Sequence, residues 1–339
     1  MSELTEAQPP EPDTGVRRIG VWGATQSGKS TFLSALYIAT ARSPRDLRIY
    51  GINTDSTEFL VRNTHLLNAQ RLFPQGTVLD SRLSWDLAMT TPAPARGLLG
   101  RRKTATVSQV FRLELNDTPG LDFAAVPADP ATPVRRNRLD IGGSTSVEDY
   151  LAQCDGIVLL IDPLRERDLG DAHEYFHGTL LRLAQRNLAG TSGRRLGQYI
   201  AVCVTKYDEQ FVYEFARDNG YQMYSDTDPY VFPRVHGDDG KRFLLDLCKG
   251  SERSDVTLVT NALDHFFEPD RVRFFVTSSI GFYVNESGQF DEDDYNNVVP
   301  RTGDITLGKY GIRGQVIPIN VVEPLEWLGR SVAAGRLAP

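Results

Sequence analysis

Apolar and polar positions along this chain follow two rhythms. Residues 156–162 (GIVLLID) and 199–205 (YIAVCVT) are unbroken apolar runs, as expected of strands buried on both faces. Residues 19–23 and 271–277 (RVRFFVT) read as the first and last strands, and 47–52 as a short second strand. Residues 82–89 and 106–116 predict two strands of a hairpin, with a long tip at 92–103 rich in Pro, Gly and Arg. Between these runs the spacing turns helical. Residues 32–39 predict one helix and 55–73 another, with Phe59, Leu60, Leu66, Leu67 and Leu72 as its apolar positions. Further helices are expected at 168–189, 251–267 and 323–333. Such alternation implies an α/β fold, doubly wound around a mostly parallel sheet. The stretches 218–250 and 284–304 fit neither rhythm. With no internal repeat, the chain reads as one domain over 16–335, carrying insertions near 92–103, 218–250 and 284–304.

Composition narrows this picture only a little. The chain has 339 residues and a formal charge of −7, which argues against a dedicated nucleic-acid binder. Residues 1–15 are acidic and Pro-rich and read as a disordered tail. No apolar run reaches the ~18 residues of a membrane span, and no signal peptide is evident, so the default compartment is cytoplasmic. Cys154, Cys203 and Cys248 lie far apart and are expected as buried free thiols. The five histidines show no metal-ligand spacing. The acidic run 291–294 reads as a solvated loop.

The chemistry begins at residues 23–31 (GATQSGKST). They satisfy G-x-x-x-x-G-K-[ST], with a strand before and a helix after. A Gly-rich turn delivered by a strand can wrap a phosphate in backbone N–H groups, and the helix N-terminus adds partial positive charge. Gly23, Thr25, Gln26, Ser27, Gly28, Lys29, Ser30 and Thr31 are the candidate phosphate contacts. Lys29 offers a mobile cation for the outer phosphates, and Ser30 a hydroxyl for Mg²⁺.

Three later segments bear on which nucleotide is bound. In Asp117-Thr118-Pro119-Gly120, Asp117 can hold the Mg²⁺ shell and Gly120 lets a backbone N–H approach the γ-phosphate. In Thr205-Lys206-Tyr207-Asp208, the Asp208 carboxylate can accept from N1–H and the exocyclic NH₂ of guanine, a donor pair adenine lacks. The Lys206 stem can lie over the ring. In Thr277-Ser278-Ser279, a backbone N–H of Ser278 or Ser279 could meet guanine O6. These four motifs, each at the end of a predicted strand, resemble the Ras-like branch of the TRAFAC GTPases. The segment 318–328 (PINVVEPLEWL) and the inserts are similar to larger bacterial, often actinobacterial, members. The resemblance implies a Ras-like G domain that binds GTP or GDP with Mg²⁺, hydrolyses GTP, and switches conformation for an effector or activating protein. A homodimer stays open, as does membrane contact through the basic 96–103 tip.

The resemblance also implies a threonine before the second strand of the family, reaching Mg²⁺ in the triphosphate state. Thr77, after a Pro/Gly-rich loop, is the choice, with Thr54, Thr57, Thr90 and Thr91 as alternatives. Two departures bear on catalysis. Leu121 stands after D-x-x-G, where the family often keeps a water-orienting Gln, and Thr25 stands where Ras-like proteins often have Gly. Slow hydrolysis is expected, or a catalytic group from elsewhere. Gln26 is a candidate in cis, and Asp122 a weaker one. Arg135, Arg136 and Arg138 are candidate arginines, though a solvated or partner-binding basic loop is the plainer reading. A nucleotide-binding scaffold with little hydrolysis is the main rival, and a small-molecule kinase a second.

Overall fold

The sheet grows outward from the strand that carries the Gly-rich turn. The computed structural model describes residues 15–24, 26–42, 47–74, 83–95, 103–115, 147–188, 195–302 and 308–335. In chain order the elements are β1 (Arg17–Gly23), α1 (Lys29–Arg42), β2 (Leu47–Gly51), α2 (Thr54–Asn68), β3 (Leu83–Ala95), β4 (Lys103–Leu115), α3 (Val147–Ala152) and β5 (Gly156–Ile161). There follow α4 (Pro163–Leu169), α5 (Ala172–Leu188), β6 (Tyr199–Val204), α6 (Gln210–Asp218), β7 (Gln222–Met223) and β8 (Arg234–Val235). The last are α7 (Gly240–Cys248), α8 (Val256–Phe266), β9 (Val272–Val276), β10 (Val298–Pro300), β11 (Tyr310–Ile312) and α9 (Glu323–Ala334).

Seven strands form the main sheet in the order β2-β3-β4-β1-β5-β6-β9. The run β4, β1, β5, β6, β9 is parallel, while β2 and β3 are antiparallel additions at one edge. The alternating side chains of β5 explain its unbroken apolar sequence. Ile157, Leu159 and Ile161 enter a core shared with α3, α5, α7 and α8. Val158 and Leu160 enter the opposite core, with Phe32 and Leu36 of α1 and Leu325 and Leu328 of α9. Each such side chain contributes about 1.5–3 kcal/mol by leaving water. All three cysteines are buried and free.

Several boundaries differ from the sequence reading, each for a local reason. The expected helix 168–189 is two helices. Asp162 caps α4, its Oδ1 accepting from the N–H of Leu164 at 3.0 Å and Arg165 at 3.3 Å, with Pro163 at the first helical position. Gly170 ends α4 at φ 65°, and a Cβ there would lie 1.8 Å from the Arg253 carbonyl, so only glycine fits. The expected helix 55–73 stops at Asn68. Arg71 turns left-handed (φ 58°), and its carbonyl and the bridge from Leu72 to Gly311 tie the chain to β11 instead. Strands β3 and β4 run through Ala95 and from Lys103, so the pairing extends into both ends of the expected 92–103 tip, whose residues 96–102 lie outside the described residues. The unassigned 218–250 stretch holds β7, β8 and α7, and 284–304 holds β10. The acidic run is exposed but engaged. Asp294 pairs with Arg313, which holds its carboxyl below the usual range, and Glu292 accepts from Tyr224 at 2.6 Å.

Candidate nucleotide site

Parallel register sends the C-terminal ends of β1, β5, β6 and β9 to the same sheet edge. Chain connections from β1 lead first toward β4 and later, on the other side, to β5. Ligands of doubly wound sheets bind at such a reversal.

The phosphate half is local. β1 ends at Gly23, where a Cβ would sit 2.6 Å from Ser27 Oγ and 2.9 Å from the Leu160 carbonyl. The turn closes with Ser27 N–H donating to the Ala24 carbonyl at 3.1 Å. Gln26 (φ 66°) and Gly28 (φ 94°) are both left-handed, which curls the backbone before α1 begins. The first bond of the helical ladder runs from Phe32 N–H to the Gly28 carbonyl at 2.7 Å. The N–H groups ahead of that bond belong to the helix N-terminus, the end that carries partial positive charge. Lys29 Nζ folds back and donates to the carbonyls of Gly23 and Ala24, each at 3.1 Å. Tyr175 on α5 braces the turn from outside, its hydroxyl donating to the Gly23 carbonyl at 3.0 Å. Ser27 Oγ is buried with no hydrogen-bond partner among the described residues. Gln26 is exposed. A turn with no room for a Cβ at Gly23, two left-handed residues and the Lys29 ammonium at its carbonyls fits a polyphosphate.

The base half is assembled from distant segments. Thr205 follows β6, and its N–H and hydroxyl both donate to the Ile161 carbonyl, at 2.9 and 3.1 Å. Lys206 is left-handed (φ 60°), and its Nζ pairs with Asp162 Oδ2 at 2.7 Å, so one carboxylate both caps α4 and positions this lysine. Tyr207 N–H donates to the Thr277 carbonyl at 3.1 Å. Asp208 is buried, and Ser278 Oγ donates to its Oδ1. Ser278 Oγ in turn accepts from the N–H of Gly281 at 2.7 Å and Ile280 at 3.3 Å. With both acceptor positions filled, the hydroxyl proton has only Asp208 to point at. Burial pushes the Asp208 carboxyl up to about 6, with neighbouring Glu209 adding to the rise; Ser278 and Lys206 oppose it. A buried carboxylate with one oxygen held is suited to accepting a pair of ligand N–H groups.

Two anchors of this half escaped the sequence reading. Asn297, fully buried, donates to the carbonyls of Gly281 and Gln315, both at 3.2 Å, and accepts from Gly314 N–H at 2.8 Å. Ile319 exchanges both backbone bonds with Ser278, at 3.0 and 2.8 Å. The 318–328 segment is therefore a strap across the Ser278 loop, continuing into α9.

Asp117, Gly120, Thr77, Thr25, Leu121, Asp122, Arg135, Arg136 and Arg138 lie outside the described residues. Register still sorts the threonine alternatives. Leu83 of β3 pairs with Leu115 of β4, which pairs with Val21, so β3 enters and β4 leaves the sheet at the Gly-rich edge. Thr90 and Thr91 pair with Ser108 and Val107, beyond the opposite end of β1, which removes them as partners of a metal at that edge. Thr57 uses its hydroxyl on the Asn53 carbonyl at 3.0 Å. Thr54 opens α2 at the Gly-rich edge.

Neither a protein-family model nor a curated protein matches this chain. Solved structures that resemble it include the signal recognition particle receptor SRb-GTP/SRX complex from Chaetomium thermophilum, at 12% identity and TM-score 0.35 over 78% of this chain and 92% of that one. Others are sup35 with GDP, at 12% identity, TM-score 0.26, 84% and 44% coverage, and sup35 with GMPPNP, at 13%, 0.25, 80% and 40%. This chain spans less than half the length of either sup35 chain. Strand order and loop geometry, rather than these overlaps, carry the assignment: the chain has an α/β P-loop NTPase fold. No helix among the described residues is long and apolar enough to cross a membrane.

Proposed function

We propose that this chain is a Ras-like G domain with insertions, spanning residues 16–335, that binds GTP and hydrolyses it slowly to GDP and phosphate. The carrying observation is a phosphate cradle and a buried, oriented carboxylate at one sheet edge. β1 and β6 are two strand spacings apart, about 10 Å, which suits a nucleotide stretched from base to phosphates. Lys29 and the amides of residues 28–31 stabilise charge on the phosphates, and Asp208 selects the base. Mg²⁺, held by Ser30, Thr77 and an Asp117-bound water, would neutralise charge between the outer phosphates. Water attacks in line. Loss of the γ-phosphate frees the Thr77 and 118–145 loops, a change a partner protein can read.

A second reading, a nucleotide-dependent scaffold with little turnover, is favoured by Leu121, whose side chain cannot orient water. Titration with GDP, GTP, ADP and ATP tests binding, and single-turnover cleavage of GTP separates the two readings. Equal affinity for guanine and adenine nucleotides would refute the proposal. Cleavage below the unassisted Ras-like range of ~10⁻⁴ to 10⁻² s⁻¹, with partner proteins present, would favour the scaffold.

A further inference from the structure

Residues 219–235, within the 218–250 insertion, reach the base half of the site through a chain of short contacts. Asp228, nearly buried, accepts from Arg234 Nη2 at 2.9 Å and from Arg234 Nε at 3.3 Å. Its other oxygen accepts from Tyr230 N–H at 3.0 Å, which fixes it in its own turn. The second arm of the same guanidinium, Nη1, donates to Asn320 Oδ1 at 2.9 Å, with Glu323 at 3.9 Å. Asn320 stands left-handed (φ 53°), and its Nδ2 donates to the Val276 carbonyl at 3.0 Å. Val276 is the last residue of β9, directly before Thr277 and Ser278. Ile319, beside Asn320, holds Ser278 by two backbone bonds. Asp208 is one bond further on.

An independent contact reaches the same loops. Phe282, buried three residues after Ser279, packs against Tyr207 at 5.3 Å between ring centres and against Phe232 of the insertion at 5.7 Å. Tyr207 is the residue between Lys206 and Asp208. The insertion thus touches the 277–282 loop by a polar route through Arg234 and the 205–208 loop by an apolar route through Phe282.

We infer that Arg234 is a positioning residue for base recognition, setting the Ser278 loop and through it the Asp208 carboxylate. This rests on the guanine reading above. The geometry suits arginine, because its planar fork grips Asp228 through Nε and Nη2 and Asn320 through Nη1, a spread of three nitrogens that the single nitrogen of lysine does not reproduce. The consequence is selective. Phosphate contacts belong to the Lys29 loop, two strands away. Guanine offers N1–H and a 2-amino group to Asp208, whereas hypoxanthine offers N1–H alone. Misorienting the carboxylate therefore weakens GDP more than IDP.

The test is titration of wild type, Arg234→Ala, Arg234→Lys and Asn320→Gly with GDP, IDP and ADP. Asn320→Gly deletes the amide while keeping a left-handed backbone accessible, and with Arg234→Lys it carries the test if Arg234→Ala melts. Expected is a loss of GDP affinity of roughly tenfold, IDP falling about twofold and ADP unchanged, within the range of residues that act through a contact network. If the wild type shows no preference for guanine, the functional reading fails and this inference with it. If the wild type prefers guanine and the variants keep the GDP-to-IDP ratio within twofold, or lose all three nucleotides in proportion, only the role of Arg234 fails.

Discussion

The two halves of the site are built by opposite means. The phosphate half is one continuous turn, residues 23–31, whose shape follows from two glycines, a left-handed Gln26 and the start of α1. In the base half, Asp162, the 205–208 loop with Thr205 and Asp208, Ser278, Asn297 and Ile319 come from separate segments, and their arrangement depends on tertiary packing. A local motif resists change elsewhere in the molecule. An assembled one can be adjusted by any segment that contributes to it, so on the proposed reading nucleotide choice is the property most open to modulation here.

The largest effect is expected at the local half. Lys29→Ala should weaken guanine and adenine nucleotides alike, by about 2–5 kcal/mol, since it leaves phosphate charge without its partner. Titration with fluorescent nucleotide analogues checks this, and selective loss of guanine nucleotides alone would contradict the division of labour.

Asp208→Asn should do the reverse. Affinity for GDP should fall by about 3 kcal/mol while xanthosine diphosphate gains, because the amide presents a donor where the carboxylate accepted. Competition between the two diphosphates on the variant measures it.

Ser278→Ala removes the donor to Asp208 and leaves the Ile280 and Gly281 amides without their acceptor. A cost of about 1–3 kcal/mol in guanine affinity is expected, with a lower melting temperature and little change in residual ADP affinity. An unaltered GDP titration would mean Asp208 is held by other means.

Acid should mimic these lesions reversibly. Asp208 titrates at about 6 in the free protein, and donors on guanine favour its ionised form. GDP affinity should therefore be constant above about pH 6.5 and fall by up to ~1.4 kcal/mol per pH unit below pH 6. For stability of the free protein the sign is opposite. The folded state binds this proton more tightly than the unfolded one, so this carboxyl favours folding most fully below pH 3.8, and its contribution diminishes as pH rises through about 6. A GDP titration series from pH 5 to 8, with Asp208→Asn flat across it, tests the binding side.

The smallest effect is expected from Tyr175→Phe. It removes one bond to the Gly23 carbonyl and should cost about 0.5–1.5 kcal/mol, shared equally by all nucleotides.

The same contrast explains what could be read from the sequence. The Gly-rich turn and the strands around it were legible because each depends on a short pattern and its immediate neighbours, and Asp208 and Ser278 could be picked out as candidates from their motifs, though not the contacts that hold them. The break at Gly170 was also legible in principle, since Asp162-Pro163 is a helix-start signature and a glycine eight residues on is a stop. The helical spacing of Phe176, Leu180 and Leu183 masked it. Arg234, Asn297 and Asn320 were not legible. Arg234 and Asn320 are 86 positions apart, and nothing local distinguishes either from a surface polar residue. Glu166 is a similar case. It is buried and accepts from Ala172 N–H, Ser254 Oγ and Asp255 N–H, a junction of three segments that no spacing announces.

The strap has a consequence in time. Ile319 lies 290 positions after Lys29 (319 − 29), and synthesis from the N-terminus proceeds at about 5–20 residues per second, so roughly 15–60 s separate the two. A nascent chain therefore holds the whole phosphate turn long before Ser278 gains its backbone partner and Asp208 its fixed orientation. On the proposed reading, base selection is therefore the last part of the site to be completed.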